Sequence, residues 1–397
     1  MVYQRTRSGE RGPQLIFSDP DVTYSMANIV ALNDGRAVIA FNKSVTSTCV
    51  AHYAIIPSLI VTTPTINPII PGGATVSSCY GKPILATNGT TVYSVVDKVH
   101  DSKHVSYLYR KFLPSPASSE AMVVTSNLAN VTDINSGLVT RVDALGNLHT
   151  AWLRDRRLYP ADPDDTWGVD YANNTSTSGN LTAIPVAGSN SSFENIDIAV
   201  QSSTHARIVY VAPALPSYKL WLATIDSGVV TKSEIGLQTG LEWKYIAPAI
   251  SNNGKIPGSV VIVFSAMNNT LDYSQIFYKT IPGGGYPTQL TNTNHLLRNN
   301  KNASVVTFDI GYLAGWRTYS SCPQNVFYSF TGDTPVTAFN TTGGCTSYGQ
   351  TMQTGLSANG KWVAGAWIDR ITSSPSARLV PWISFNTNKT LLPLVLR

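Results

Sequence analysis

One short pattern recurs along this chain. In "VDALGNLHTAW", from Val142 to Trp152, two strand-like runs flank a turn at Gly146-Asn147, and the second run alternates apolar with polar residues up to a tryptophan. The same pattern ends at Phe41 ("LNDGRAVIAF"), near Val95 ("TNGTTVYSVV"), and at Tyr210 ("SSTHARIVY"), Phe264 ("PGSVVIVF"), Trp316 ("DIGYLAGW") and Trp367 ("ANGKWVAGAW"). Gly, Asn or Asp at six of these seven turns supplies the positive φ that a two-residue hairpin needs, and the alternation marks a half-buried antiparallel strand. Anchors about 50 to 60 residues apart have the period of propellers and solenoids.

Each unit continues alike. A polar loop follows the anchor, then an aromatic-rich third strand ("VSYLYRKF", "YKLWLATI", "SQIFYKTI", "NVFYSF", "RLVPWISF") and a weaker fourth such as "AMVVTS". Four antiparallel strands in each of seven units predict an all-β, seven-bladed β-propeller, which removes free sheet edges by radial repetition. The blades are expected near residues 25–65, 80–126, 137–187, 195–238, 246–292, 302–340 and 353–397, with 1–20 as a closing segment, all in one domain. A two-sheet sandwich leaves seven equal units unexplained. Both the N-terminal "VYQRTRSGERGPQLIFS" and the C-terminal "RLVPWISFNTNKTLLPLVLR" read as third and fourth strands. Either the termini interleave in one blade, or one hairpin packs elsewhere, on a neighbouring subunit of a homo-oligomer.

Composition agrees with an all-β globular chain: of 397 residues, 43% are hydrophobic and 13% charged, with Lys and Glu scarce. A net charge of +5 without a Lys/Arg run beyond Arg154-Asp155-Arg156-Arg157 argues against a nucleic-acid partner. Apolar runs such as "SVVIVF" and "LLPLVL" are strand-sized, so the chain is expected not to span a membrane. No signal peptide is visible at the N-terminus. Four cysteines and sequons at Asn42, Asn88, Asn130, Asn174, Asn180, Asn190, Asn268, Asn302, Asn340 and Asn388 suit a glycoprotein outside the cell or on a virion or cell surface. Chance explains the sequons equally well in a chain rich in Asn, Ser and Thr.

Strand order places function. If the turns between strands one and two lie on a lower face, the longer loops after strand two and before strand one lie on the upper face, where loops on a rigid scaffold carry binding residues. Candidate binding residues there are Arg154, Arg156, Tyr159 and Trp167 of the third unit, Trp243 and Tyr245 entering the fifth, Arg317 and Tyr319 of the sixth, and Asp369 and Arg370 of the seventh. Lys244, His295 and Arg298 join them on loops entering blades, as do His100, Asp101 and His104 in the second unit. Cys49 and Cys79 in the first unit occupy places equivalent to Cys322 and Cys345 in the sixth, so the repeat favours pairs Cys49–Cys79 and Cys322–Cys345; the lack of C-x-x-C spacing disfavours zinc. No cofactor is expected. Asp162, Asp164 and Asp165 in "DPDD" could ligate Ca²⁺ but lack the D-x-[DN]-x-[DN]-G order. The anchor tryptophans Trp152, Trp316 and Trp367 read as inter-blade packing, and His149 as a hydrogen-bonded structural histidine.

The blade motif "GNLHTAW" resembles the repeat of the sialidase-like propeller superfamily, a group that includes glycoside hydrolases, polysaccharide lyases and lectins. The Asp-box S-x-D-x-G-x-x-W is missing: "SANGKW", Ser357 to Trp362, has Asn for Asp and a different spacing. No catalytic residue therefore carries over. Two functions are expected to compete. One is a recognition module for a glycan or a cell-surface or structural protein. The other is a polysaccharide lyase, with Arg317, Arg370 or Arg154 on a uronate carboxylate and His100, His104 or Tyr159 removing the adjacent proton, or a hydrolase limited to Asp155, Asp165 and Asp369.

Overall fold

Six sheets of four antiparallel strands and one larger sheet make up the computed structural model. The structure describes thirty strands between Tyr3 and Phe385 with some connecting turns. It describes side chains in 28–45, 49–56, 66–69, 83–95, 137–153, 167–173, 184–189, 193–214, 217–236, 247–253, 256–267, 274–291, 303–307 and 312–316. No helix, and so none long and apolar enough to cross a membrane, occurs among the described residues.

Strands β1 (Tyr3–Thr6) and β2 (Gly9–Arg11) belong to the last sheet. The first sheet is β3 (Thr23–Ala31), β4 (Ala37–Val45), β5 (Thr48–Ile56) and β6 (Ile66–Pro68), and the second is β7 (Ile84–Thr87), β8 (Thr91–His100), β9 (Lys103–Phe112) and β10 (Ser118–Val124). The third comprises β11 (Asp133–Val142), β12 (Leu148–Arg156), β13 (Trp167–Asn174) and β14 (Ile184–Ser189). The fourth holds β15 (Glu194–Ser202), β16 (His205–Ala214), β17 (Ser217–Asp226) and β18 (Val229–Glu234). The fifth has β19 (Trp243–Asn252), β20 (Val260–Asn268), β21 (Gln275–Ile281) and β22 (Thr288–Gln289). In the sixth are β23 (Asn299–Phe308), β24 (Gly311–Tyr319), β25 (Val326–Phe330) and β26 (Thr337–Ala338). Each is hydrogen-bonded in sequence order, so every sheet is a meander with its first strand at one side.

The last sheet departs from that plan. Its first strand is split into β27 (Cys345–Thr346) and β28 (Gln353–Leu356), both paired to β29 (Trp362–Arg370), which pairs with β30 (Ala377–Phe385). Outside β30 lies β1, in parallel register with Tyr3 opposite Trp382, and then β2. The two ends of the chain therefore share a sheet.

Packing between sheets explains the anchor residues. Leu85 and Val92 of the second sheet pack on Val30, Val38 and Tyr53 of the first. Trp152 of the third packs on Ile84, Tyr93 and Val95 of the second, and Tyr210 of the fourth on Val169 and Tyr171 of the third. Phe264 of the fifth meets Val209 and Leu220 of the fourth, and Trp316 of the sixth meets Val261, Val263 and Ile276 of the fifth. Trp152, Tyr210, Phe264 and Trp316 thus each face the preceding sheet and are at most 4% exposed. Burial of such a side chain stabilises by about 1.5–3 kcal/mol, so these aromatics hold neighbouring sheets together and are closed to ligand. Val95 is out of phase: it packs toward the third sheet, because Tyr93 and Val95 alternate against Val92 and Ser94 in β8. First strands also meet in order, β3 with β7, then β11, β15, β19, β23 and β28, and β28 contacts β3.

Candidate functional site

The meander gives each sheet two edges, and the described chemistry differs sharply between them. Along the lower edge run the turns between strands one and two. Gly35, Gly89 and Gly146 there have φ of 87°, 96° and 88°, the left-handed backbone expected of the turn glycines. In the fifth sheet Gly258 takes positive φ in a longer turn, where Asn253 N–H donates to the Ser259 carbonyl and Ser259 N–H to that of Ile256. Gly254 and the Asn359-Gly360 turn lie outside the described residues. Lower turns of successive sheets are tied together. Asn33 N–H donates to Gly89 O (3.0 Å), Tyr93 Oη to Gly146 O (3.4 Å), Asn173 Nδ2 to Ser203 O, and Arg207 Nη1 to Gly258 O (2.8 Å).

The lower edge of the third sheet also holds a buried polar cluster. Asp143 accepts from Leu145 N–H, Asn147 N–H and Asn147 Nδ2 at 2.7–2.9 Å and fixes the turn. Its Oδ2 lies 3.5 Å from His149 Nε2, and His149 Nδ1 lies 2.6 Å from Tyr171 Oη. Tyr171 O–H donating to Nδ1 and Nε2–H donating to Asp143 satisfies all three groups with a neutral imidazole. Burial lowers the His149 pKa, overcoming the pull of Asp143. Burial also opposes the Asp143 charge, but the Asn147 and His149 hydrogen bonds prevail and its pKa is lowered. Tyr171 is raised by burial and then by Asp143. With His149 at 0% exposure this is a structural cluster, as its strand position suggests.

At the upper edge the strands run further than the sequence suggests. Arg154 and Arg156 lie within β12 rather than in a loop, opposite Asn135 and Asp133 of β11, because the ladder continues past the Trp152 anchor. Trp243 and Tyr245 begin β19, Arg317 and Tyr319 end β24, and Asp369 and Arg370 end β29. Trp167 opens β13, and its half-buried side chain packs on the cluster between the third and fourth sheets, which makes it part scaffold. Backbone order brings all of these to the same edge of their sheets. Tyr159 lies outside the described residues. His100 ends β8 and His104 is the second residue of β9, also at this edge.

A feature invisible in the sequence repeats there. The first strands β3, β11, β15, β19 and β23 each break register near the upper end, between Ser25 and Asn28, Ser136 and Val139, Glu194 and Ile196, Trp243 and Tyr245, and Lys301 and Ser304. Gly137 and Asn195 take positive φ (59° and 46°) at two of these bulges. Bulges bend a strand and re-aim its side chains, and they gather near functional rims. Below them, Asp197 joins three sheets: it accepts from Arg141 Nη2 (3.0 Å), Ile198 N–H (2.9 Å) and Ile250 N–H (2.9 Å). An Asp within the apolar run "NIDIAV" was the available signal.

Cys49, at the upper end of β5, is buried and disulfide-bonded. Cys79 and Cys322 lie outside the described residues. Asn42 of the first sequon is 0% exposed, so a glycan there is incompatible with the fold. No group of three His, Cys, Asp or Glu side chains suited to a metal occurs among the described residues, and Asp162, Asp164 and Asp165 fall outside them.

No protein-family model matches this chain, and no curated protein does. Solved structures resemble it. An acylaminoacyl peptidase of Pyrococcus horikoshii is 8% identical with a TM-score of 0.54, over 91% of this chain and 52% of its own. A sialidase of Trypanosoma rangeli is 9% identical with a TM-score of 0.50, over 83% and 58%, and a puromycin hydrolase is 11% identical at 0.50, over 91% and 57%. The chain thus spans little more than half of these proteins. The likeness to sialidase-type and other propeller-like proteins holds for the fold.

Proposed function

We propose that the chain is a closed seven-bladed β-propeller acting outside the cell as a recognition module that binds glycan at its upper edge. Closure is supported by the β28–β3 contact and by the sheet that both chain ends share. The secreted setting is supported by the disulfide at Cys49, and the pairs are Cys49–Cys79 and Cys322–Cys345. The observation that carries the binding role is the contrast between edges. Arg, Trp and Tyr residues, the types that dominate binding hot spots, fall at upper strand ends of four sheets, whereas the described His–Tyr–Asp cluster is buried at the lower edge.

A glycan array with the intact protein tests this. Single Ala substitutions at Arg154, Trp243 and Arg317 should weaken binding by tenfold or more (about 1.4 kcal/mol). Asn88→Ala should act on stability alone, since Asn88 Oδ1 caps Thr90 N–H and Thr91 N–H in a lower turn. Release of unsaturated products from a uronate polymer would replace this reading with the lyase, using Arg154 and His100 or His104.

A further inference from the structure

Single apolar side chains at a protein surface are ordinary, but their gathering on one edge of adjacent sheets is not. Strand three of each meander runs back to the lower edge, so the turns between strands three and four lie there beside those between strands one and two. Five large apolar side chains are exposed among the described residues, and four of them occupy the lower edge of the third, fourth and fifth sheets. Leu145 (79% exposed) and Ile256 (50%) stand in turns between strands one and two. Tyr286 (56%) stands in the turn from β21 to β22, and Val229 (65%) directly follows the Ser227-Gly228 turn. The described lower turns of the first and second sheets expose Asp34 and Thr90 instead.

Each of the four apolar tips sits on a turn with a fixed backbone. Leu145 N–H donates to Asp143 Oδ1 (2.9 Å), and the Ile256 carbonyl accepts from Ser259 N–H (3.1 Å). Ser227 and Gly228 take φ of 51° and 85° before Val229, and the Gly285 carbonyl before Tyr286 accepts from Lys279 Nζ (2.9 Å). Backbone ordered before contact lowers the cost of binding. The tips also share a level, because Asn173 Nδ2 on Ser203 O ties the third and fourth sheets at this edge and Arg207 Nη1 on Gly258 O ties the fourth and fifth. In these turns and the strand ends beside them, Arg207, Lys255 and Lys279 stand against Asp226. Asp143 is buried, and Arg141 is paired with Asp197 at 3.0 Å.

We infer that the lower edge of the third to fifth sheets is a docking face for a phospholipid surface carrying anionic headgroups, with Leu145, Val229, Ile256 and Tyr286 entering the interfacial layer and the basic residues meeting phosphate. Polar turn residues such as the exposed Ser202 and Thr204 separate the tips, whereas a stable protein interface needs a continuous complementary patch of about 800 Å² on each partner. A bilayer interface admits separate apolar side chains, a tyrosine suits its headgroup level, and its anionic lipids attract Lys and Arg. A chain docked in this way presents its upper edge away from the membrane, and the docking face does not depend on what that edge binds.

Co-sedimentation of the full chain with phosphatidylcholine vesicles, with and without phosphatidylglycerol, tests this. The chain should partition more strongly to the mixed vesicles than to phosphatidylcholine alone, and less at higher salt. Leu145→Ser/Ile256→Ser/Tyr286→Ser should weaken that partition by about tenfold or more, because each tip gives up its apolar transfer. Val45→Ser, which removes the exposed valine at the upper end of β4, should leave it unchanged. The triple variant should melt with the parent, since all three side chains are exposed. Hydrogen exchange of the vesicle-bound protein gives a second readout that needs no variant: it should slow in 143–147, 253–259 and 282–287 and not in 33–36. No partition, equal partition to the two vesicles, an undiminished partition in the triple variant, or an equal loss in Val45→Ser would overturn the docking face. So would a dimer of the vesicle-free chain that the triple variant abolishes, which would assign this edge to a second copy.

Discussion

Gly89 is where backbone and packing demands coincide. Its φ is 96°, and an added methyl would fall on the Asn33 carboxamide of the neighbouring sheet. Gly228, at φ 85°, faces open space. A left-handed Ala costs about 1–2 kcal/mol, so Gly228→Ala should lose that much and Gly89→Ala distinctly more in urea denaturation; equal losses would show that the Asn33 contact is soft. His149 gives the second residue-scale expectation. Its folded pKa is depressed, so the unfolded chain binds more protons below about pH 6.5. Stability is full above that value and falls as the pH drops toward the folded pKa. Asp143, also depressed, loses its contribution only below the usual carboxylate value of 3.8. His52 is lowered by burial too, so His149→Gln should roughly halve the slope of urea midpoint against pH between 6.5 and 5. An unchanged slope would refute the assignment. The turn glycines and the structural role of His149 were legible because each depends on neighbours a few residues away. The left-handed Gly258 was not, since "NNGKIPGS" offers two candidate glycines and its length hides where the turn closes.

At the scale of the strand, alternation identified pairs and failed on phase where both faces are apolar. In "TVYSVV" either parity can face the next sheet, and the sequence leaves open which one does. Bulges left no trace beyond Gly137, because a register break is a property of two strands. Asp197 is the clearest test of how elements are joined. Asp197→Ala strands the buried Ile250 N–H and should cost about 1–3 kcal/mol. Arg141→Ala should cost under about 1 kcal/mol, because Arg141 is 41% exposed and solvent screens the pair. Thermal and denaturant unfolding of both variants should return that order; the reverse would mean that charge, and not the amide bond between sheets, makes the link.

For the molecule as a whole, the repeat carried the architecture: six four-stranded antiparallel sheets follow the hairpin units, while the last sheet, with its split first strand and borrowed β1 and β2, was left undecided between two arrangements. Non-reducing peptide mapping should find Cys49–Cys79 and Cys322–Cys345, each worth about 3 kcal/mol through the unfolded state. A Cys49–Cys345 link would refute the pairing drawn from the repeat. Expression in a glycosylating host should leave Asn42 bare, whatever happens at the other sequons.

The sheet shared by β1 and β30 also sets a clock. Six sheets are wound from contiguous stretches and can form as soon as each stretch exists, but the contact between Tyr3 and Trp382 joins nearly the most distant points of the described chain. Such contacts pay their loop-closure entropy before they return anything, and they form slowly. During synthesis, then, the early strands β1 and β2 wait without their partner while the sheets between them accumulate, each presenting an apolar face until its successor arrives. The last strands to emerge end that exposure, and how quickly they do so governs how much of the protein reaches its native state before it aggregates.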